Sequence, residues 1–123
     1  MRSKVWFVPV DNHPSKEVVA QKTLQLYQAA NVDRIMEAGD LVAMKMHFGE
    51  KGNTGYIKPD YLHPLIKALK DCKVKPYLTD ANTLYRGERA YSVDHLMQAY
   101  AHGFGPEAMG IPVIIADGIR SKS

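Results

Sequence analysis

One cysteine, one tryptophan and the absence of any long charge run remove several classes of explanation. The lone thiol, Cys72, rules out an internal disulfide and leaves no thiolate cluster for a metal. Sixteen basic residues against thirteen acidic ones leave a formal charge of only +3, and the basic residues are scattered. No segment therefore reads as a nucleic-acid arm or a polybasic membrane patch. No apolar run approaches the roughly 20 residues that cross a bilayer, and the opening through Pro9 is too short for a secretory signal. The expectation is a cytoplasmic protein with no nucleic-acid and no membrane partner. The known phosphate fingerprints are also missing. Gly55 is followed by Tyr56 and Ile57, where a Walker loop needs lysine and a hydroxyl residue, and the glycines recur every third position instead of as G-x-G-x-x-G.

What is present is ordinary globular material. At 123 residues, with 46% hydrophobic and 24% charged residues, the chain can bury one core. Residues 1–123 are expected to form a single α/β domain. The most informative stretch runs from Met46 to Tyr56. It follows a strand-like segment, Leu41 to Met46, and leads to a helix start at Pro59. Glycines at 49, 52 and 55 permit conformations closed to other residues and allow close approach of a ligand. Such a turn after a strand can expose backbone N–H groups to an anion. A connection whose glycines serve only the turn is the competing reading.

Strand and helix signals alternate along the chain. Val5 to Val10 is a short apolar run closed by Asp11, Asn12 and Pro14, and Trp6 within it reads as a core or subunit contact. Ser15 can cap the next helix, in which Val19, Thr23, Leu26 and Ala30 make one stripe. Asn31 interrupts it, and a short further turn stops at Gly39. Leu62, Leu65, Ile66 and Leu69 make a second helical stripe, which Pro64 should kink or delay, and Cys72 reads as a packing residue at its end. Lys75 to Thr79 is the next strand. Ser92 can cap a helix carrying Val93, Leu96, Met97 and Tyr100, with Gly103 as its stop. Val113 to Asp117 closes the series. Strands separated by helices imply right-handed crossovers. The fold class is α/β, a mostly parallel sheet of about four strands with helices on both faces, a Rossmann-like three-layer arrangement.

A parallel sheet collects the carboxyl ends of its strands on one edge, where ligands bind. Asp11, Asn12, His47, Gly49, Glu50, Asp80, Asn82, Asp117 and Gly118 fall there. His47 is the candidate acid–base residue, because an imidazole exchanges protons near neutrality. The ligand-binding candidates are Gly49, Glu50, Lys51, Gly52, Asn53, Thr54, Gly55, Asp80, Asn82, Arg86 and Asp117. Lys51 and Arg86 would add positive charge for a small anionic ligand. Each acid alone is as well explained as a turn or capping residue. His47 with Asp80 or Asp117 could make a mixed nitrogen and oxygen metal site, but no close ligand pair exists and no metal residues are assigned. His95 and His102, seven apart on one helix, read as a partly solvated surface face.

Val42-Ala43-Met44-Lys45-Met46-His47-Phe48-Gly49-Glu50, then Gly52 to Ile57 and Pro59, resemble the family named domain of unknown function 362. Leu78 to Tyr85, Val93 to Leu96 and Ile111 to Gly118 agree with it in the same order. The resemblance spans nearly the whole chain, from the first apolar run to Gly118. Members are often labelled iron–sulphur centre proteins. The resemblance implies that full-length relatives continue past the Asp-Gly block and carry cysteine motifs for clusters. A [4Fe–4S] cluster normally takes four thiolates, so no cofactor is expected in this chain itself. The implied picture is the amino-terminal α/β domain of a redox-linked protein. Its partners would be a missing carboxy-terminal half or a second copy. A non-catalytic anion-binding module, or a fragment without independent activity, are the alternatives.

Overall fold

The computed structural model describes residues 2–120. Three strands form one sheet in the order β1-β2-β3: β1 is Leu41–Lys45, β2 is Lys75–Asp80 and β3 is Val113–Ile115. Lys75 N–H donates to Asp40 O at 2.7 Å and Met46 N–H to Thr79 O at 2.9 Å, so β1 and β2 run the same way. β2 pairs parallel with β3, Leu78 opposite Val113 and Asp80 opposite Ile115. The fold is α/β with a parallel sheet, which among the described residues has three strands where about four were expected.

The missing strand is Val5 to Val10, which forms no regular element. Val5 and Phe7 are 88% and 84% exposed, and Trp6, expected as a core or subunit contact, is 45% exposed. An unbroken apolar run lacks the alternation that marks a half-buried strand, and Pro9 has no N–H to give a ladder. Asp11 and Asn12 consequently end no strand.

The chain divides into two compact units, one joining the amino-terminal residues through Asp40 to Asp60–Lys75, the other joining Leu41–Pro59 to the residues from Pro76 onward. In the first unit, α1 (Lys16–Ala29) starts where expected, with Ser15 Oγ accepting from Val18 N–H at 3.2 Å. It ends before Asn31, whose φ of 50° is left-handed, and a 3-10 turn follows at Val32–Ile35. α2 (His63–Asp71) carries Pro64 in its first turn, where the absent N–H costs nothing. Proline thus delays the helix behind a 3-10 turn, Pro59–Leu62, and does not kink it. α1 and α2 pack together, and Ala20, Leu62, Ile66, Leu69 and Val74 are buried. Cys72 caps the end of α2, with the Tyr27 hydroxyl 3.9 Å from its sulphur. Burial and that thiol push the Tyr27 phenol up to about 12.

The second unit contains α3 (Ser92–Ala101), which packs on β3, and a short α4 (Pro106–Met109), not among the expected elements, that Pro106 starts and Gly110 ends. Phe48, Leu78 and Phe104 are fully buried at its centre, with Met46, Ala99, Met109, Ile111, Val113 and Ile115 around them. The Phe48 and Phe104 rings meet edge to face, centroids 5.1 Å apart. Ser92 does not cap α3. Tyr91 is the cap, and the buried Ser92 hydroxyl donates to Gly118 O. The helix also turns its faces opposite to expectation. His95, Gln98 and Ala99 are buried, whereas Val93 and Met97 are 61% and 62% exposed. Both stripes have helical spacing, and the polar one wins the interior because it finds hydrogen-bond partners there.

Candidate functional site

The carboxyl ends of β1 and β2 deliver Lys45, His47 and Asp80 to one place in the second unit, and the Thr83 to Ala90 loop brings Arg89 into their midst. The Arg89 guanidinium is buried and gathers ligands on every side. Its Nη2 donates to Asp80 Oδ2 at 2.9 Å and its Nη1 to Glu50 Oε1 at 2.8 Å. The same Nη1 lies 2.8 Å from His47 Nε2, and Nε lies 3.4 Å from His95 Nε2. The Tyr85 hydroxyl donates to Glu50 Oε1 at 2.8 Å. Asp80 is the most buried carboxylate of the group, and it also accepts from Ala81 N–H at 2.8 Å and from Lys45 Nζ at 3.1 Å. A buried cation with two carboxylates is tolerable only when so many donors and acceptors are matched.

The matching continues inward. Arginine can only donate, so His95 Nε2 presents its lone pair and His95 Nδ1–H donates to Asn82 Oδ1 at 3.1 Å. The Asn82 amide nitrogen donates to Ser92 Oγ at 3.0 Å, and Asn82 N–H donates to Asp117 Oδ2 at 2.7 Å. His95, expected on a solvated face, is 0% exposed. Burial holds its imidazole below the usual range despite the attraction of Asp80.

The electrostatics follow the contacts. Hydrogen bonds from Arg89 and then Tyr85 hold the Glu50 carboxyl below its ordinary value. Burial alone would raise Asp80, but the Ala81 N–H, Lys45 and Arg89 outweigh it and hold it low. Burial works against the Arg89 charge, and Glu50 and Asp80 raise its pKa nonetheless. Glu50, Asp80 and His95, whose pKa values are lowered, bind fewer protons folded than unfolded. Their stabilisation is therefore present above the unfolded pKa and lost as pH falls through the folded one. Urea midpoints are expected to decline from about pH 6.5, as His95 begins to gain a proton in the unfolded chain, and again below about pH 4 as the carboxylates do. A midpoint unchanged between pH 7 and pH 5 would contradict the buried neutral imidazole.

The glycine-rich loop is built differently from an anion cradle. Gly49 N–H donates to His47 Nδ1 at 3.0 Å, Asn53 N–H to Glu50 O at 2.9 Å, and Gly55 N–H to Asn53 Oδ1. Three of its N–H groups are thus engaged within the loop. Gly49 and Gly52 take φ of 87° and 75°, which glycine alone adopts without strain. His102 holds the loop's start, its Nδ1–H donating to Phe48 O at 2.8 Å and its ring stacked on Tyr56 with centroids 4.2 Å apart. A cleft of about 330 Å³ is lined by His47, Asn53, Gly55, Tyr56 and Ile57.

Of the expected site residues, His47, Glu50, Asp80, Asn82 and Asp117 join the network. Asn53 and Gly55 line the cleft, and Gly49 orients His47. Lys51, Gly52, Thr54 and Arg86 are exposed, and Arg86 stands outside the network that Arg89, three residues on, completes. Asp80 and Asp117 both serve the capping role offered as the competing reading, through Ala81 N–H and Asn82 N–H. Lys45, Tyr85, Arg89, Ser92 and His95 are central but were outside the expected site set. The Thr83 to Arg89 segment, two arginines beside Tyr85, read equally as an anion clamp over the crevice or a solvated loop, Ser92 as a helix cap and His95 as a surface residue. The available signal for Arg89 was a second arginine in the same loop, and for His95 the polar stripe it shares with Gln98 and His102. Among the described residues no group of three histidine, cysteine or carboxylate side chains is disposed to hold a metal. An iron–sulphur cluster does not fit the residues present, since the one cysteine faces Tyr27.

A parallel α/β unit with a polar network at its strand ends is the class the geometry defines. The family model for a domain of unknown function, DUF362, matches residues 42–123, two-thirds of the chain, and the chain belongs to that family. The match begins within β1, at Val42. No curated protein and no solved structure gives a significant match. Among the described residues no helix is long and apolar enough to cross a membrane.

Proposed function

We propose that this chain binds a small anionic ligand at the carboxyl ends of β1 and β2, with His47 as the group that contacts it and exchanges protons with it. The observation that carries this reading is the double placement of His47. It lines the 330 Å³ cleft and also touches the Arg89 guanidinium at 2.8 Å, so one imidazole joins the cleft to the charged network. Lys45 and Arg89 supply positive charge, Tyr85 a hydroxyl donor, and Asn53 an amide. Asp80 and the His95–Asn82–Ser92 chain hold Arg89 in position beneath them. Such a pocket with a few convergent polar groups is where a ligand is sought first. A redox link is what kinship with iron–sulphur proteins suggests, and this reading uses no cluster held by the present chain.

Titration of the labelled protein with inorganic phosphate and with acetate, followed by amide NMR, tests it. Saturable shifts are expected at Gly49 to Tyr56 and at Arg89. His47→Ala should weaken them at least tenfold while leaving the melting temperature close to that of the parent, because His47 is exposed. Shifts that survive His47→Ala unchanged, or none at all with either anion, would overturn the reading.

A further inference from the structure

The network's charges balance only while Glu50 is in place, two cations against two carboxylates. Asp80 forms its floor, with a side chain 3% exposed on the last residue of β2, and it is tied to Ala81 N–H, Lys45 and Arg89. Glu50 forms its rim, 34% exposed, on the loop between the two left-handed glycines 49 and 52. With Glu50 swung out, Lys45 and Arg89 face Asp80 alone and the network carries one net positive charge.

The hydrogen-bond accounting at His47 points the same way. Gly49 N–H and Arg89 Nη1–H can only donate, yet both face this one imidazole, at Nδ1 and Nε2. A neutral imidazole has a single lone pair. Whichever nitrogen carries the proton, one of the two donors is left without an acceptor; with Nδ1 accepting from Gly49 N–H, the proton is on Nε2. Its N–H then meets the Arg89 N–H, donor against donor, at 2.8 Å. Three donors, His47 Nε2–H, Arg89 Nη1–H and the Tyr85 hydroxyl, thus converge where Glu50 Oε1 is the one carboxylate oxygen shared by Arg89 and Tyr85.

We propose that Glu50 is a tethered stand-in for the carboxylate of a ligand, which displaces it. The incoming group places one oxygen on Arg89 Nη1–H and the Tyr85 hydroxyl. Its second oxygen accepts from His47 Nε2–H and supplies the acceptor that is missing. The remainder of the ligand extends into the cleft beside Asn53, Tyr56 and Ile57. A planar group with two oxygens can accept from both sets of donors at once, and the charge it brings replaces the one Glu50 removes. The loop glycines supply the hinge. This inference rests on the anion-binding reading above and adds the ligand's class and the residue that competes with it.

The test compares acetate affinity in the parent, Glu50→Ala and Glu50→Gln by amide NMR, with urea midpoints to establish that each variant is folded. Glu50→Ala is expected to bind acetate at least tenfold more tightly than the parent, and Glu50→Gln, which keeps the volume without the charge, to fall between them. Adding Tyr85→Phe to Glu50→Ala should give back part of the gain. Equal affinity in the folded parent and variants overturns the stand-in role and leaves the anion site intact. A gain for inorganic phosphate without one for acetate overturns the carboxylate class. No binding of either anion to any folded variant overturns both the stand-in role and the anion-binding reading. Should Glu50→Ala fail to fold, Glu50→Gln decides alone, by gaining at least threefold or not.

Discussion

Arg89→Ala is expected to destabilise the protein by about 3–5 kcal/mol, the usual cost of removing one partner from a buried ion pair. Asp80 would keep a carboxylate 3% exposed with only Lys45 opposite it, and the Lys45 side chain is 73% exposed and can share its charge with water. His95 would lose the donor that faces Nε2, and Glu50 would lose its main partner. The loss is a large share of the roughly 5–15 kcal/mol that holds a typical domain together. Urea unfolding at pH 7 measures it. Arg89→Lys should recover only a part, because an ammonium cannot reach Asp80, Glu50 and His95 in one plane. A loss below about 1 kcal/mol for Arg89→Ala, the range of exposed ion pairs, would show that the network is solvated. Asp80→Ala should likewise cost stability, since it strands the same guanidinium. Asp80 is thus a poor choice for testing ligand contact alone.

Gly49→Ala should be the most damaging change in the loop. Left-handed backbone costs a residue with a side chain about 1–2 kcal/mol. Here the added methyl would also overlap His102 Nδ1 and sit 2.7 Å from Tyr56 Cδ1. His102 cannot retreat without breaking its bond to Phe48 O and its stack on Tyr56. Forcing atoms into packed space adds about 1–3 kcal/mol. Gly52→Ala is the control. Its φ of 75° is also left-handed, but an added methyl meets nothing within 4 Å, so only the conformational cost applies. Thermal melts of the two variants separate the effects. Gly49→Ala should melt several degrees below Gly52→Ala, and equal melting points would mean that His102 does not pin the loop.

The two variants also bear on the site. Gly49 N–H contacts His47 Nδ1, and Glu50 is the next residue. A displaced Gly49 moves both the imidazole and the rim carboxylate, so Gly49→Ala should weaken anion binding as well as stability.

What the amino-acid sequence determined by itself is whatever depends on neighbours a few residues apart. Ser15 caps α1 through Val18, Asn31 ends it, Pro64 sits in the first turn of α2, and Gly49 and Gly52 take backbone angles that glycine alone tolerates without strain. β1, β2 and β3 were legible to within a residue or two, because strand, turn and helix signals alternate and leave a parallel sheet as the economical solution. That alone put His47, Glu50, Asp80, Asn82 and Asp117 on one edge.

The tertiary structure decided the rest, through partners distant in sequence. Val5 to Val10 has the composition of a strand but gains no ladder, and composition cannot report whether a neighbouring strand is there. α3 has two stripes of equal spacing, and which one faced inward depended on Asn82 and Arg89 waiting to pair with His95. Arg89 and Arg86 are indistinguishable by residue type and lie in one loop. Only Arg89 reaches the carboxylates of Glu50 and Asp80, 39 and nine residues away. Burial then turned a solvated charge into the centre of the network, because in a low-dielectric interior a cation persists only where its counter-charges and acceptors have already converged.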